Sequence, residues 1–190
     1  MAKDRLGTPK KTDVHIALLR GINLTTHNRL PMAGLVTTFE QAGCRHVQTY
    51  IQSGNVIFEA QPELARQIPG IISKAITRQF GLEISLVTRT AAELRTIVRA
   101  NPFQRSGADE RLLHVAFLAD SPAADRVAGL DPDRSPPDEY VVRGREIYLR
   151  CPNGVARSKL TNAYFDSKLA TICTIRNWKT TLKLLALAGG

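Results

Sequence analysis

Apolar and other residues alternate from Val14 to Leu19 and again from Leu113 to Leu118, the period of a β-strand. Pro31 to Ala42 reads as a helix, with proline in its first turn and Gly43 beyond its end. Val47 to Ser53 and Val56 to Ala60 read as strands. Leu64, Ile68, Ile71, Ile72, Ala75 and Ile76 recur at helical spacing, which predicts a helix over Leu64 to Phe80 that stops at Gly81. Glu83 to Thr88 then reads as a strand, and Ala91 to Ala100 as a helix ended by Pro102. The order restarts at Leu113. A short helix is expected over Pro122 to Leu130, a hairpin over Glu139 to Val142 and Glu146 to Arg150, and a helix over Ser158 to Leu169. A strand over Thr171 to Thr174 and a last helix over Trp178 to Ala188 complete the second series.

The two series also match by letter. VHIALL at Val14 to Leu19 aligns with LHVAFL at Leu113 to Leu118, setting His15 against His114. TYIQSGNVIF at Thr49 to Phe58 aligns without a gap on EYVVRGREIY at Glu139 to Tyr148, setting Phe58 against Tyr148. A repeat of this length is a duplicated domain, and βαββαβ is the split-βαβ plan. The expected fold is α+β: two tandem ferredoxin-like (βαββαβ) subdomains with antiparallel or mixed sheets, plus a C-terminal helix. The expected boundaries are a basic tail over 1–13, a first subdomain with its linking helix over 14–100, a linker over 101–111 and a second subdomain over 112–190. A two-residue turn at Gly54-Asn55 would set Ile51 opposite Phe58 and Gln52 opposite Ile57. Ile51, Val56 and Phe58 would then share one apolar face, to be covered by the other half or by a partner such as a second copy.

Composition narrows the picture. No apolar run is long enough for a membrane helix, and residues 1–13 lack the apolar core of an export signal. A cytoplasmic location without membrane association is therefore expected. Cys44, Cys151 and Cys173 are not spaced as a disulfide framework or a zinc site, so neither metal nor cofactor is expected. The net charge is +9, and its placement is uneven. From Arg143 to Lys183 nine basic residues face only Glu146 and Asp166, a local balance of +7. An electropositive region of this kind suits a phosphate-bearing partner or a solvated face.

Four stretches hold candidate chemistry. In LLRGIN, Arg20 and Asn23 follow a strand and offer anion and hydrogen-bond contacts. This loop is longer than its counterpart at Ala119 to Ser121, and extra loops on a rigid scaffold often carry function. In YIQSGN, Gln52, Ser53 and Asn55 form a polar hairpin tip. In VARSKLT, Ser158 is a candidate helix cap beside Arg157 and Lys159, a favourable place for phosphate; Ser158, Lys159 and Thr161 are the nearest nucleophile candidates. In TIRNW, Arg176 and Asn177 stand at a second helix entrance, with Trp178 as a core anchor. Metalloprotease, nucleophile-elbow, dinucleotide and C-x-x-C motifs do not occur, and the polar stretches hold too few carboxylates for paired-carboxylate or two-metal chemistry.

ALLRGIN, the helix opened by Pro31-Met32, TYIQSGNVIF, RSKLTNAYF and TIRNWKTTLKL together resemble the domain of unknown function 1697 family, from about Val14 to Ala188. The resemblance implies two ferredoxin-like subdomains and no established activity. Thr25-Thr26 stand where the family usually has a glycine pair, and Asn153-Gly154-Val155-Ala156 is less glycine-rich than the family's corresponding stretch.

The leading functional expectation is binding of nucleic acid. With a two-residue turn at Gly144-Arg145, Arg143, Tyr148 and Arg150 share a sheet face with Arg145 at its tip, and an aromatic between arginines suits base stacking. The alternative is an enzyme or sensor for a small anionic metabolite, with its site where the RGIN, QSGN and TIRNW segments meet. A scaffold that pairs through a sheet face is the third reading.

Overall fold

The structure is a computed structural model that describes residues 12–22 and 30–189. Its first half runs β1 (Asp13–Leu19), α1 (Met32–Gln41), β2 (Arg45–Tyr50), β3 (Asn55–Ala60), α2 (Pro62–Phe80), β4 (Leu86–Thr90) and α3 (Ala91–Arg99). A short α4 (Pro102–Arg105) and a 3-10 turn at 110–112 lead to the second half. That half runs β5 (Leu113–Leu118), α5 (Ala124–Ala128), β6 (Glu139–Arg143), β7 (Glu146–Arg150), α6 (Asn162–Leu169), β8 (Cys173–Asn177) and α7 (Trp178–Leu187). The strands form two antiparallel four-stranded sheets with the same order, β2-β3-β1-β4 and β6-β7-β5-β8.

Strand alternation gives each sheet two buried faces. Outward, Ala17, Leu19, Val56 and Phe58 pack against Leu35 and Phe39 of α1 and Ile68, Ile72 and Ile76 of α2. The second sheet turns Ala116, Leu118, Ile147 and Leu149 outward onto Leu130, Phe165 and Leu169. Inward, Ile16, Leu18, Ile57 and Val87 meet Leu113, Val115, Phe117 and Tyr148 in one shared core, closed by Leu94 and Ile97 of α3 and by Trp178 and Leu184 of α7. Phe103 of α4, inside the expected linker at 101–111, is buried in the same core.

Three local expectations shift. The first hairpin pairs Tyr50 with Asn55, so its loop is the four residues 51–54 and the expected Gly54-Asn55 turn does not form. Ile51 is left 52% exposed, while Val56 and Phe58 lie beneath helices; the apolar face expected from these three residues does not exist. Second, β4 and β8 lie later than periodicity suggested, at Leu86–Thr90 and Cys173–Asn177, each running straight into the next helix. Thr90 caps α3 through a capping box, and Asn177 Oδ1 accepts from Thr180 N at 2.7 Å. Third, the helix expected from Ser158 begins at Asn162, with Thr161 as its cap. Leu160, 2% exposed, must be buried first, and the chain turns through 158–161 to do so.

His15 and His114 are buried scaffold residues, 7% and 6% exposed, and burial pushes both imidazoles below their ordinary value of 6.5. As pH falls through 6.5 the unfolded chain takes up protons that the folded chain refuses. Stability is thus intact above 6.5 and lost below it, by up to about 1.4 kcal/mol per pH unit per histidine. Urea midpoints should drop between pH 7 and 5.5, and the His15→Gln, His114→Gln double variant should flatten that drop. An equal drop in both proteins would assign the pH dependence to other groups.

Candidate functional site

The inner faces of β4 and β8 each carry an arginine that crosses to the opposite sheet. Arg89 stands opposite Ile16, and Arg176 opposite Val115. Arg89, 1% exposed, donates from Nε to Glu146 Oε1 at 2.8 Å and from Nη2 to the Leu118 and Arg145 carbonyls at 2.7 and 3.0 Å. Arg176 donates from Nε to Asn55 Oδ1 at 2.7 Å and from Nη2 to the Leu19 and Ser53 carbonyls at 2.6 and 3.3 Å. The two sets correspond: the last residue of a first strand, a residue of a hairpin loop, and the first residue of a third strand. Their charges differ. Burial pushes the Arg89 guanidinium down while the Glu146 carboxylate beside it pushes back up. Arg176 is pushed down by burial to about 10, and its hydrogen-bond partners are neutral throughout, including Thr174 Oγ1 at 2.8 Å and the Ile175 carbonyl at 3.0 Å.

Tertiary folding therefore brings Leu19, immediately before Arg20, together with Ser53 and Asn55 of the first hairpin and Arg176 of β8. Arg20, with 30% of its side chain exposed, forms an ion pair with Asp166 of α6, and Asp166 Oδ1 also accepts from Cys173 N at 2.7 Å. Asn55 is fully buried and donates from Nδ2 to the Tyr50 carbonyl at 3.2 Å and to Ser53 Oγ at 2.8 Å. It shapes the loop and latches the other half. Half-buried Ser53 keeps its own hydroxyl proton to donate. Gln52 is exposed on the loop, Asn177 is engaged as a cap, and Asn23 lies outside the described residues.

The second hairpin does not offer the expected base-stacking face. Tyr148 is 1% exposed in the shared core, and its hydroxyl donates to the Ile97 carbonyl at 3.0 Å. Arg143 donates to the Ala100 carbonyl at 2.9 Å, Arg145 pairs with Glu93 at 2.5 Å, and Arg150 pairs with Glu139. The reason is that Tyr148 points inward, and the inner faces of the two sheets cover each other. The VARSKLT segment also stands apart. Ser158, 9% exposed, accepts from Leu160 N at 3.0 Å rather than capping a helix, and Lys159 N donates to Ser135 Oγ at 3.0 Å. Among the described residues no hydrogen bond or ion pair joins Arg157, Ser158 or Lys159 to the Arg20–Asn55–Arg176 group. The three cysteines are buried, and burial pushes their thiols up to about 11 for Cys44 and Cys151 and about 12 for Cys173, far from reactive thiolates.

Sequence reading missed Arg89, Glu93, Glu146 and Asp166. A signal for Arg89 was present: VTRT and TIRN both place arginine one residue before a helix cap.

This geometry defines an α+β protein of two antiparallel sheets latched by reciprocal arginines. The chain belongs to the family described as protein of unknown function DUF1697, whose profile matches residues 13–148. The solved structure of the conserved bacterial protein SP0830 from Streptococcus pneumoniae is similar over 95% of this chain and 100% of its own, with a TM-score of 0.73 at 18% sequence identity, a likeness of fold. No curated protein matches the chain. Among the described residues no helix is long and apolar enough to cross a membrane.

Proposed function

We propose that the chain is a tandem pair of ferredoxin-like units, residues 14–100 and 112–190 joined through 101–111, and that it binds a small anionic ligand where RGIN, QSGN and TIRNW meet. The observation that carries this reading is the charge imbalance between the two latches. Around Arg89, two guanidiniums (Arg89, Arg145) meet two carboxylates (Glu146, Glu93). Around Arg176, two guanidiniums (Arg20, Arg176) meet, among the described residues, the one carboxylate of Asp166, with Asn55 in the place that Glu146 holds opposite. A half-buried cation held only by dipoles favours an anion nearby, because the low local dielectric strengthens their attraction. Arg20 and the Ser53 hydroxyl supply donors at the surface. The four-residue hairpin loop at 51–54, two residues longer than its counterpart in the second half, supports the same assignment.

Thermal denaturation in the presence of inorganic phosphate, pyrophosphate and small carboxylates tests the reading. A saturable rise in Tm with one-to-one stoichiometry is expected, and Arg20→Gln should weaken affinity at least about tenfold, the worth of one charge-assisted hydrogen bond. Stabilisation by none of these anions, or equal stabilisation of the Arg20→Gln protein, would overturn it. So would binding of polynucleotides alone, with a steep salt dependence.

A further inference from the structure

Ile51 and Ile172 are the large hydrophobic side chains left exposed among the described residues, at 52% and 39%. Each lies two residues along the chain from a partner of Arg176. Ile51 lies two residues before Ser53, whose carbonyl accepts from Arg176. Ile172 lies two residues before Thr174, whose hydroxyl accepts from Arg176, and immediately before Cys173, whose N–H bonds the Asp166 that pairs with Arg20. Both are also departures from the correspondence between the halves. The second hairpin turns on Gly144-Arg145 alone, with no counterpart to Ile51. The residue corresponding to Ile172, by its carbonyl accepting from the residue after the first strand, is Ser85.

The backbone at Ile51 adds an independent observation. Its φ is +50°, a left-handed conformation that a β-branched residue adopts only under strain. Packing does not require isoleucine there, since half of the side chain faces solvent. A strained side chain that is half exposed is a candidate contact for a ligand.

We infer that the anionic ligand carries an apolar arm that lies over Ile51 and Ile172: a soluble carboxylate or phosphate monoester bearing an alkyl or aryl group. The inference rests on the anion-binding reading and specifies its ligand class. The cations around Arg176 and Arg20 take the charged end, and the two isoleucines take the arm. The arm recovers apolar contact that neither isoleucine makes in the free protein.

Isothermal titration with inorganic phosphate, hexyl phosphate, acetate and the straight-chain carboxylates up to hexanoate tests it. Affinity should tighten about two- to fourfold per methylene, the lower figure for an arm covered on one side. In the Ile51→Gly and Ile172→Ser proteins this chain-length dependence should flatten, while phosphate and acetate bind as before. Ile51→Gly should at the same time hold or raise Tm, since glycine relieves the strain; a merely structural isoleucine would instead leave the chain-length dependence untouched. If inorganic phosphate binds as tightly as hexyl phosphate, the arm is absent and the anion reading stands without it. If a chain-length dependence survives both substitutions, the arm lies elsewhere and the inference fails. If no anion binds, both readings fall together.

Discussion

Replacing Arg89 with alanine is expected to destabilise the fold by about 3–5 kcal/mol, because it leaves the Glu146 carboxylate without its cation. The Leu118 and Arg145 carbonyls lose their donor at the same time. Urea denaturation at pH 7 measures the loss. Glu146→Gln in the Arg89→Ala background should restore part of it, since a neutral amide is cheaper to leave half-buried than a charge. Arg176→Ala should cost less, about 1–3 kcal/mol, because it strands only an amide and carbonyls. The difference between the two arginines reports the charge asymmetry directly. If Arg176→Ala proved as costly as Arg89→Ala, a carboxylate would have to balance Arg176 after all.

Gly54→Ala should cost about 2–5 kcal/mol. Gly54 has φ +74°, where an L-residue is strained by about 1–2 kcal/mol. A Cβ there would also sit 2.7 Å from Leu19 Cβ and 2.9 Å from Ile22 Cδ1, and overpacking of this kind adds about 1–3 kcal/mol. Gly144 is the control. Its φ is +59°, and a Cβ there would meet nothing within 4 Å, so Gly144→Ala should show the conformational cost alone. Equal losses at the two positions would show that the first hairpin yields where the glycine contacts place it hard against β1. The contrast matters for function, because Gly54 brings the Ser53 carbonyl and Asn55 up to Arg176.

The positive charge of the C-terminal quarter takes on a different meaning in the folded chain. Arg143, Arg145, Arg150 and Arg176 are all engaged, three of them in holding the two halves together. Arg157, Lys159, Lys168, Lys179 and Lys183 remain exposed. A cluster that reads as one electropositive surface in sequence is divided by folding into a clamp and a dispersed remainder.

Element order was legible because the apolar periods are strong: Leu113 to Leu118 was located to the residue, and α2 and α3 to within two. The recurrence of that order was legible too. What pattern reading missed was register. The gapless match equated Phe58 with Tyr148, yet the pairings set Phe58 opposite His15 and Leu149 opposite His114. Ile57 is therefore the counterpart of Tyr148, and both point into the shared core. A slip of one residue exchanges the faces of a strand, and here the match set an outward phenylalanine against an inward tyrosine. The cause is loop length, four residues in one hairpin and two in the other. Tyr148 itself looked like a stacking platform for a different reason: the first sheet covers its face, and sequence pattern does not show that covering. β4 and β8 were misplaced for a related reason: their inward positions include Arg89 and Arg176, which look like surface residues until a partner sheet supplies carbonyls and acids to receive them.

By itself the chain determined which segments become strands and helices and their order, because backbone preference and apolar period are local properties. Only the tertiary structure decided which sheet faces are buried, which cations are spent as latches and which latch lacks a carboxylate. Those outcomes depend on what stands opposite each side chain after the two halves have met.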